Sequence, residues 1–128
     1  MTNNSFKVNA FNVVYESIEG ETLLLNLETR TYYSMLNTAG KIWEYIEKGF
    51  DQNVIIMALS QIYDTDLNTL KRAINNFIIQ LRQENLIINN PSSTNITFEL
   101  KQELKEKLPF TPPVIEKHTD LQNIYAGY

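Results

Sequence analysis

The sequence contains no cysteine and only one histidine, His118, among its 128 residues. Without cysteine the chain can form no disulfide, no thiolate nucleophile and no thiolate metal site. His118 lies in a proline-containing tail, so a histidine metal site or a Ser/His/Asp triad would depend on a segment without a rigid frame. We therefore expect no metal, no cofactor and no catalytic residue, and the sequence predicts a protein that is not an enzyme.

Long apolar runs and an excess of positive charge are also missing. No run approaches the roughly 18 to 20 apolar residues of a membrane span, and the polar residues 1–5 do not form a signal peptide. The formal net charge is −4, from 15 acidic and 11 basic residues, which disfavours a nucleic-acid-binding surface. The sequence thus predicts a cytoplasmic protein that binds neither membrane nor nucleic acid.

Residues 13–36 are expected to form three short β-strands joined by two tight turns. Gly20 supplies the positive φ that a short hairpin loop needs, and residues 28–30 close the second loop. The third strand, residues 31–35, is followed by a helix, so we expect it to be an open edge of the sheet. An open edge can accept an extended peptide as an added strand.

Three helical patterns follow these strands. The first helix is predicted over residues 38–48, with Asn37 as its cap and Gly49 as its stop. Asp51 is expected to cap the second helix and Asp66 the third. The third helix, to about residue 84, repeats apolar residues at three- and four-residue spacing, namely Leu67, Leu70, Ile74, Phe77, Ile78 and Leu81. Trp43 on the first helix is expected to anchor the core.

These elements predict an α+β, winged helix-turn-helix-like domain in which a three-stranded antiparallel sheet is followed by three helices. The domain is expected to span residues 1–88 and to close with an extended segment at 86–88. Residues 89–128 form a C-terminal extension. It comprises a polar linker, a short amphipathic helix within residues 96–108 and a proline-containing tail.

The string from Gly20 to Trp43 resembles the signature of the pyrroloquinoline quinone biosynthesis protein D family. The pattern is an aliphatic run with Asn, an aromatic pair, Leu-Asn, Gly and Ile-Trp, found here as Leu23 to Asn26, Tyr32-Tyr33, Leu36-Asn37, Gly40 and Ile42-Trp43. The resemblance covers about residues 8–88. Arg30 departs from it where the family commonly has glycine, and Ala73 departs where aspartate is frequent.

The resemblance implies a peptide-binding function. Members of that family are recognition elements of pathways that make ribosomally synthesised, post-translationally modified peptides (RiPPs). It therefore implies a non-catalytic peptide chaperone that captures the leader of a precursor peptide and presents the precursor to a maturase, often a radical S-adenosylmethionine (SAM) enzyme.

The residues themselves suggest how a leader would bind. An extended leader would add beside residues 31–35 and place its apolar side chains in a groove between that strand and the third helix. The predicted peptide-binding residues are Thr31, Tyr32, Tyr33, Ser34, Met35, Leu36, Lys71, Asn75, Ile78, Ile79 and Arg82. Strand alternation predicts that only one of the two tyrosines faces a ligand. Ile78 fits the core better than Ile79, and Lys71 and Arg82 suit an acidic leader.

Residues 110–115 of the tail, Phe-Thr-Pro-Pro-Val-Ile, resemble a pattern found in leaders of lasso-type precursors: an aromatic residue, two residues, proline, one residue and an aliphatic residue. We therefore expect residues 109–125 to dock on a recognition groove, their own or that of a second copy in a homodimer, or on the maturase. An inert tail is the alternative. For the whole chain the alternative function is a winged-helix DNA-binding regulator, which the net charge and the Asn-rich third helix disfavour.

Overall fold

The computed structural model describes residues 5–90 and 106–118. Its strands are β1 Phe6–Val8, β2 Val13–Ile18, β3 Glu21–Asn26, β4 Thr31–Leu36, β5 Tyr63–Asp64, β6 Ile87–Asn89, β7 Leu108–Pro109 and β8 Ile115–His118. Its helices are α1 Thr38–Glu47, α2 Gln52–Ile62 and α3 Leu67–Gln83. The predicted α+β class is confirmed, and so is the order in which the three strands β2, β3 and β4 precede the three helices. None of the helices in the described ranges has the length and apolar character needed to cross a membrane.

The main sheet has the strand order β2-β3-β4-β8, and all its pairs are antiparallel. Glu19 and Gly20 both have positive φ, 50° and 83°, as a tight hairpin between β2 and β3 requires. In the second hairpin Arg30 takes a φ of 59°, the conformation for which glycine is best suited. The Asn26 side chain stabilises this turn because its Oδ1 accepts the backbone N–H of Glu28 at 2.9 Å.

The predicted sheet of three strands is corrected to four. β8 pairs with β4 in the register Tyr32↔His118 to Met35↔Ile115. The prediction that residues 31–35 form an open edge is therefore wrong for this structure. The physical reason is that a strand can be covered by a segment far away in sequence, and the local pattern of β4 carries no sign of it.

The helix boundaries follow the expected capping residues with one exception. Asp51 accepts the backbone N–H of Val54 at 2.9 Å, and Asp66 accepts that of Thr69 at 3.0 Å. Gly49 has a φ of 86° and ends α1 as predicted. Asn37 precedes α1, but its side chain makes no capping hydrogen bond because its backbone turns through a φ of 55° between β4 and the helix.

A second, small sheet joins the two ends of the domain. β1 pairs antiparallel with β6, with Lys7 opposite Ile88. The extended character of residues 86–88 was predicted. β1 was not predicted, because three residues are too few to show the alternation that indicates a strand. Of the predicted helix over residues 96–108, residues 96–105 lie outside the described residues, and Leu108 belongs to β7.

The core lies between the inward face of the main sheet and the three helices. Its fully buried large side chains include Trp43 and Ile42 of α1, Tyr33 and Met35 of β4, and further residues of β3, α2 and α3, namely Leu24, Ile55, Leu59, Leu70, Ile74, Phe77 and Leu81. Each such side chain stabilises the fold by about 1.5 to 3 kcal/mol relative to exposure. The prediction that Trp43 is a core anchor is confirmed.

Candidate functional site

The candidate site is the outer edge of β4 together with residues 108–118, here called the C-terminal segment. The segment begins as β7, which pairs in parallel with β5 through Tyr63↔Leu108. It then passes the start of α1, where the Thr111 and Thr38 hydroxyl oxygens are 3.4 Å apart. It ends as β8 on the edge of β4. The end of the segment thus lies along the strand edge at which a leader was predicted to add, and residues 119–125 of the predicted docking tail lie outside the described residues.

Phe110 anchors the first half of the C-terminal segment. Its side chain is half-buried and packs against the core, with the ring centroid 5.8 Å from that of Tyr63 and the ring planes at 70°. Such edge-to-face pairs are favourable for aromatic rings. The aromatic position of the predicted pattern therefore contacts the junction between α2 and α3.

The side chains of β8 alternate between the core and solvent. Ile115 lies opposite Met35 and is only 8% exposed, whereas Glu116 is exposed. Lys117 lies opposite the buried Tyr33 and points to the same side as Ile115. The aliphatic residue of the predicted pattern is therefore the apolar anchor of the added strand.

Glu84 connects the end of α3 to both β4 and β8. The Tyr33 hydroxyl donates to Oε1 of Glu84 at 2.7 Å. The Lys117 ammonium lies 2.8 Å from Oε1 and 3.0 Å from Oε2. The hydrogen bond from Lys117 is the main cause that lowers the pKa of Glu84, and the one from Tyr33 adds to it. Burial raises the pKa of Tyr33, and its bond to Glu84 adds to that rise.

β8 covers only part of the edge of β4. It pairs with residues 32–35, whereas β4 continues to Leu36, whose side chain is 50% exposed. A cavity of about 230 Å³ lies where the C-terminal segment diverges from β4. It is lined by Ser34, Leu36, Asn37, Thr111, Pro112, Val114 and Glu116. A longer strand therefore has room to follow β4 beyond the point at which β8 leaves it.

The six predicted residues of β4 divide between the two faces of the sheet. Thr31, Tyr33 and Met35 are buried, whereas Tyr32 and Ser34 are half-buried and Leu36 is exposed. The prediction that one tyrosine packs in the core is confirmed, and Tyr33 is that residue. The backbone edge of this strand is the part of the predicted site that the structure pairs with an extended segment.

The predicted residues of α3 are more dispersed. Ile78 is buried in the core at 2% exposure, and Ile79 is 45% exposed, as their positions on the helix predicted. Asn75 accepts a hydrogen bond from Gln52 of α2 at 3.3 Å. The Arg82 guanidinium lies 5.8 Å from the centre of the Phe6 ring of β1. Lys71 is exposed.

Glu84 and Lys117 were missed by sequence reasoning. The sequence pattern marks Glu84 only as the end of the third helix. Its role depends on Tyr33 and Lys117, which lie 51 and 33 residues away in sequence. A lysine two residues after the aliphatic anchor was visible, but nothing local indicated its partner.

The part of the chain that the structure describes brings together no group of three or more His, Cys, Asp or Glu side chains suited to a metal ion. On the inward side of β8 the structure gathers apolar anchors, the Glu84 carboxylate and the Lys117 ammonium group, whereas Glu21 and Glu116 lie near Ser34 on the outward side. Such an arrangement is chemically suited to an extended peptide, which strand edges bind by backbone hydrogen bonds and by pockets for alternate side chains.

Comparison with known proteins identifies relatives of the chain. The sequence profile of the family described as coenzyme PQQ synthesis protein D (PqqD) matches residues 21–87, slightly more than half of the chain. The fold is similar to a solved structure of TbiB1 in complex with the TbiA(beta) leader peptide. The identity is 30% and the TM-score 0.61, and the match covers 63% of this chain and 93% of that one. No curated protein matches significantly.

Proposed function

We propose that this chain, which belongs to the coenzyme PQQ synthesis protein D (PqqD) family as a PqqD-like RiPP recognition element, binds the leader of a precursor peptide. The leader binds by strand addition to the outer edge of β4. The observation that carries this proposal is the pairing of β8 with residues 32–35. It means that this edge accepts an extended antiparallel strand. The leader peptide in the complex of TbiB1 supports a peptide as the ligand.

A leader that adds to β4 takes the place of β8. β8 pairs with four residues of β4, whereas a leader strand can pair with all six and continue past Leu36 into the neighbouring cavity. Backbone hydrogen bonds supply affinity with little dependence on sequence, and the inward side chains choose the peptide. The longer pairing gives the leader its advantage over the tethered segment.

The proposal extends to the rest of the pathway. The bound precursor is presented in the cytoplasm to a maturase, for which a radical SAM enzyme is the expected class. Lys71, Asn75, Ile79 and Arg82 on α3 are the further peptide contacts in this proposal, and Ile78 supports them from the core. A homodimer would arise if residues 108–118 of one copy docked on β4 of another.

The direct test is a titration of the isotope-labelled full chain with a synthetic leader of about 15 to 25 residues, encoded beside the gene. We expect micromolar or tighter affinity, near −8 kcal/mol. Amide shifts should cluster on residues 31–36 and 71–82 and on β8 as it is displaced. Shifts confined to α2 or to β2 would contradict the proposal.

Two variants and one control sharpen this titration. Ile79→Glu and Arg82→Glu should weaken leader binding without unfolding the domain, since Ile79 is 45% exposed and Arg82 is also exposed. Lys48→Glu, an exposed change on α1, should leave binding unchanged.

A gel shift with random duplex DNA serves as the test of the winged-helix alternative, and we expect no binding, given the net charge of −4.

A further inference from the structure

Glu84 occupies an unfavourable place for a carboxylate. It follows α3 directly as its C-cap residue, and helix C-termini carry partial negative charge that favours cations. Its side chain is only 23% exposed, so water solvates the charge incompletely. A carboxylate in this position needs a positive partner to be stable.

The direction in which Glu84 points is fixed by Tyr33. The Tyr33 side chain is 2% exposed, and its hydroxyl donates to Oε1 of Glu84 at 2.7 Å. A buried donor with one orientation holds the carboxylate against the edge of β4. The nearest basic residue on α3, Arg82, lies instead over the ring of Phe6. The positive partner of Glu84 in the structure is Lys117 of β8, the strand that is added to β4.

The register of the added strand decides which side chain meets Glu84. Along β8, the residues opposite Met35 and Tyr33 point inward, and they are Ile115 and Lys117. Any peptide that pairs with β4 in the same direction and register presents its own side chains at these two positions. The first position takes an aliphatic side chain, and the second position, two residues later, faces the carboxylate.

We propose that Glu84 is a specificity-determining residue of the β4 edge. It selects extended peptides that place lysine or arginine opposite Tyr33, two residues after an aliphatic residue opposite Met35. This inference rests on the proposed function and names the chemistry of the leader that the edge accepts. It differs from the acidic leader expected from Lys71 and Arg82. Lys71 lies near the start of α3, and Arg82, although it is in the last turn beside Glu84, lies over the ring of Phe6.

The test uses peptides added to the full-length chain. A fluorescent peptide with the sequence of residues 106–118 and its K117E version are titrated into the chain carrying Ile115→Asp, which releases its own segment. The chain carrying Lys117→Ala serves as a second acceptor in case Ile115→Asp perturbs folding. We expect the lysine peptide to bind about five times more tightly than the glutamate peptide, as a partly buried charge pair allows.

Variants of Glu84 then test whether this residue causes the preference for the lysine peptide. Glu84→Gln should bring the two affinities close together, and Glu84→Lys should reverse their order. Glu44→Lys is the matched control, since Glu44 also pairs with lysines but lies on α1, away from β8. It changes the net charge equally and should leave the preference unchanged.

The outcomes separate this inference from the proposed function. Equal binding of both peptides, with amide shifts along β4, would overturn the role of Glu84 and leave strand addition intact. An unchanged lysine preference in Glu84→Lys would overturn it too. Failure of both peptides to bind either acceptor would overturn strand addition and the inference together.

Discussion

Strand β4 has two neighbours that are held in very different ways. β3 is joined to it by a tight turn and pairs with all six of its residues. β8 comes from the other end of the chain and pairs with four. β3 places Leu24 in the core with 1% exposure, whereas β8 contributes Ile115 as its buried residue.

We expect this difference to separate a permanent part of the sheet, in which β3 pairs with β4, from an exchangeable part, which is β8. A tight hairpin has a small entropic cost of closure, so β3 and β4 form and unfold together with the core. β8 rests on few inward side chains and on the ion pair between Lys117 and Glu84, so we expect it to leave while the rest of the domain stays folded. On this expectation, β8 covers the edge of β4 in the structure and frees it when a peptide binds.

The largest expected effect is on the free energy of unfolding, from a change in the core against which the permanent part of the sheet packs. Trp43→Ala should lower the free energy of unfolding by about 3 to 5 kcal/mol, because the side chain is fully buried and its loss leaves a cavity. Chemical denaturation measures the change. Phe11→Ala is the control, since Phe11 is 92% exposed, and it should change stability by less than about 0.5 kcal/mol. Equal effects of the two changes would refute the assigned core.

On the exchangeable side, Ile115→Asp should detach β8 without unfolding the domain. A carboxylate cannot occupy the apolar position opposite Met35 without a partner. Hydrogen exchange should show loss of protection at residues 115–118 while residues 21–26 stay protected. Val114→Asp, at the exposed neighbouring position, is the matched control and should keep β8 in place. Loss of protection throughout β3 would mean that β8 belongs to the permanent sheet.

A smaller effect is expected from acid. The pKa of Glu84 is lowered in the folded chain, mainly by the hydrogen bond from Lys117. Because the pKa of Glu84 is lower in the folded chain than its ordinary value of 4.5, the ionised carboxylate stabilises the folded chain above pH 4.5. This stabilisation is lost as the pH falls through the lowered pKa. Docking of β8, followed by the amide signals of residues 115–118, should therefore weaken below about pH 4.5. In the Glu84→Gln variant, β8 should dock more weakly at neutral pH, and its docking should depend much less on pH. If acid weakened docking in this variant as much as in the unchanged chain, Glu84 would be excluded as the cause.

The smallest effect concerns the turn that joins β3 to β4. Arg30→Gly should stabilise the domain by up to about 1 kcal/mol, because Arg30 has a φ of 59° that costs an L-residue energy and glycine little. Glu28→Gly is the control, since Glu28 lacks a positive φ and glycine there should destabilise. Thermal unfolding compares the two, and a loss of stability in Arg30→Gly would show that the arginine side chain compensates the strain.

Local signals predicted the permanent part of the molecule well. Gly20, Asp51 and Asp66 each mark a turn or a helix start through their own backbone chemistry, and the spacing of apolar residues located Trp43 in the core. The exchangeable part was harder to derive. The pattern of Phe110 and Ile115 indicated a docking tail, but the register of β8 and the meeting of Glu84 with Lys117 depend on contacts between distant segments, which no local pattern encodes.

The most direct test of the central claim is a disulfide that locks β8 onto β4. Ser34 and Glu116 lie opposite each other on the outward face, and the chain has no cysteine of its own. Directly opposed residues of antiparallel strands are close enough for a disulfide. The matched control is a cysteine pair at Lys7 and Ile88, which locks β1 to β6 and leaves the main sheet unchanged.

Leader affinity is then measured for the oxidised and reduced forms of Ser34→Cys/Glu116→Cys. A monomer on a non-reducing gel verifies that the lock forms within one chain. If leader and β8 share the edge of β4, the oxidised form should lose leader binding and reduction should restore it, while the control pair binds in both forms. Undiminished leader binding by the oxidised, locked chain would contradict the account.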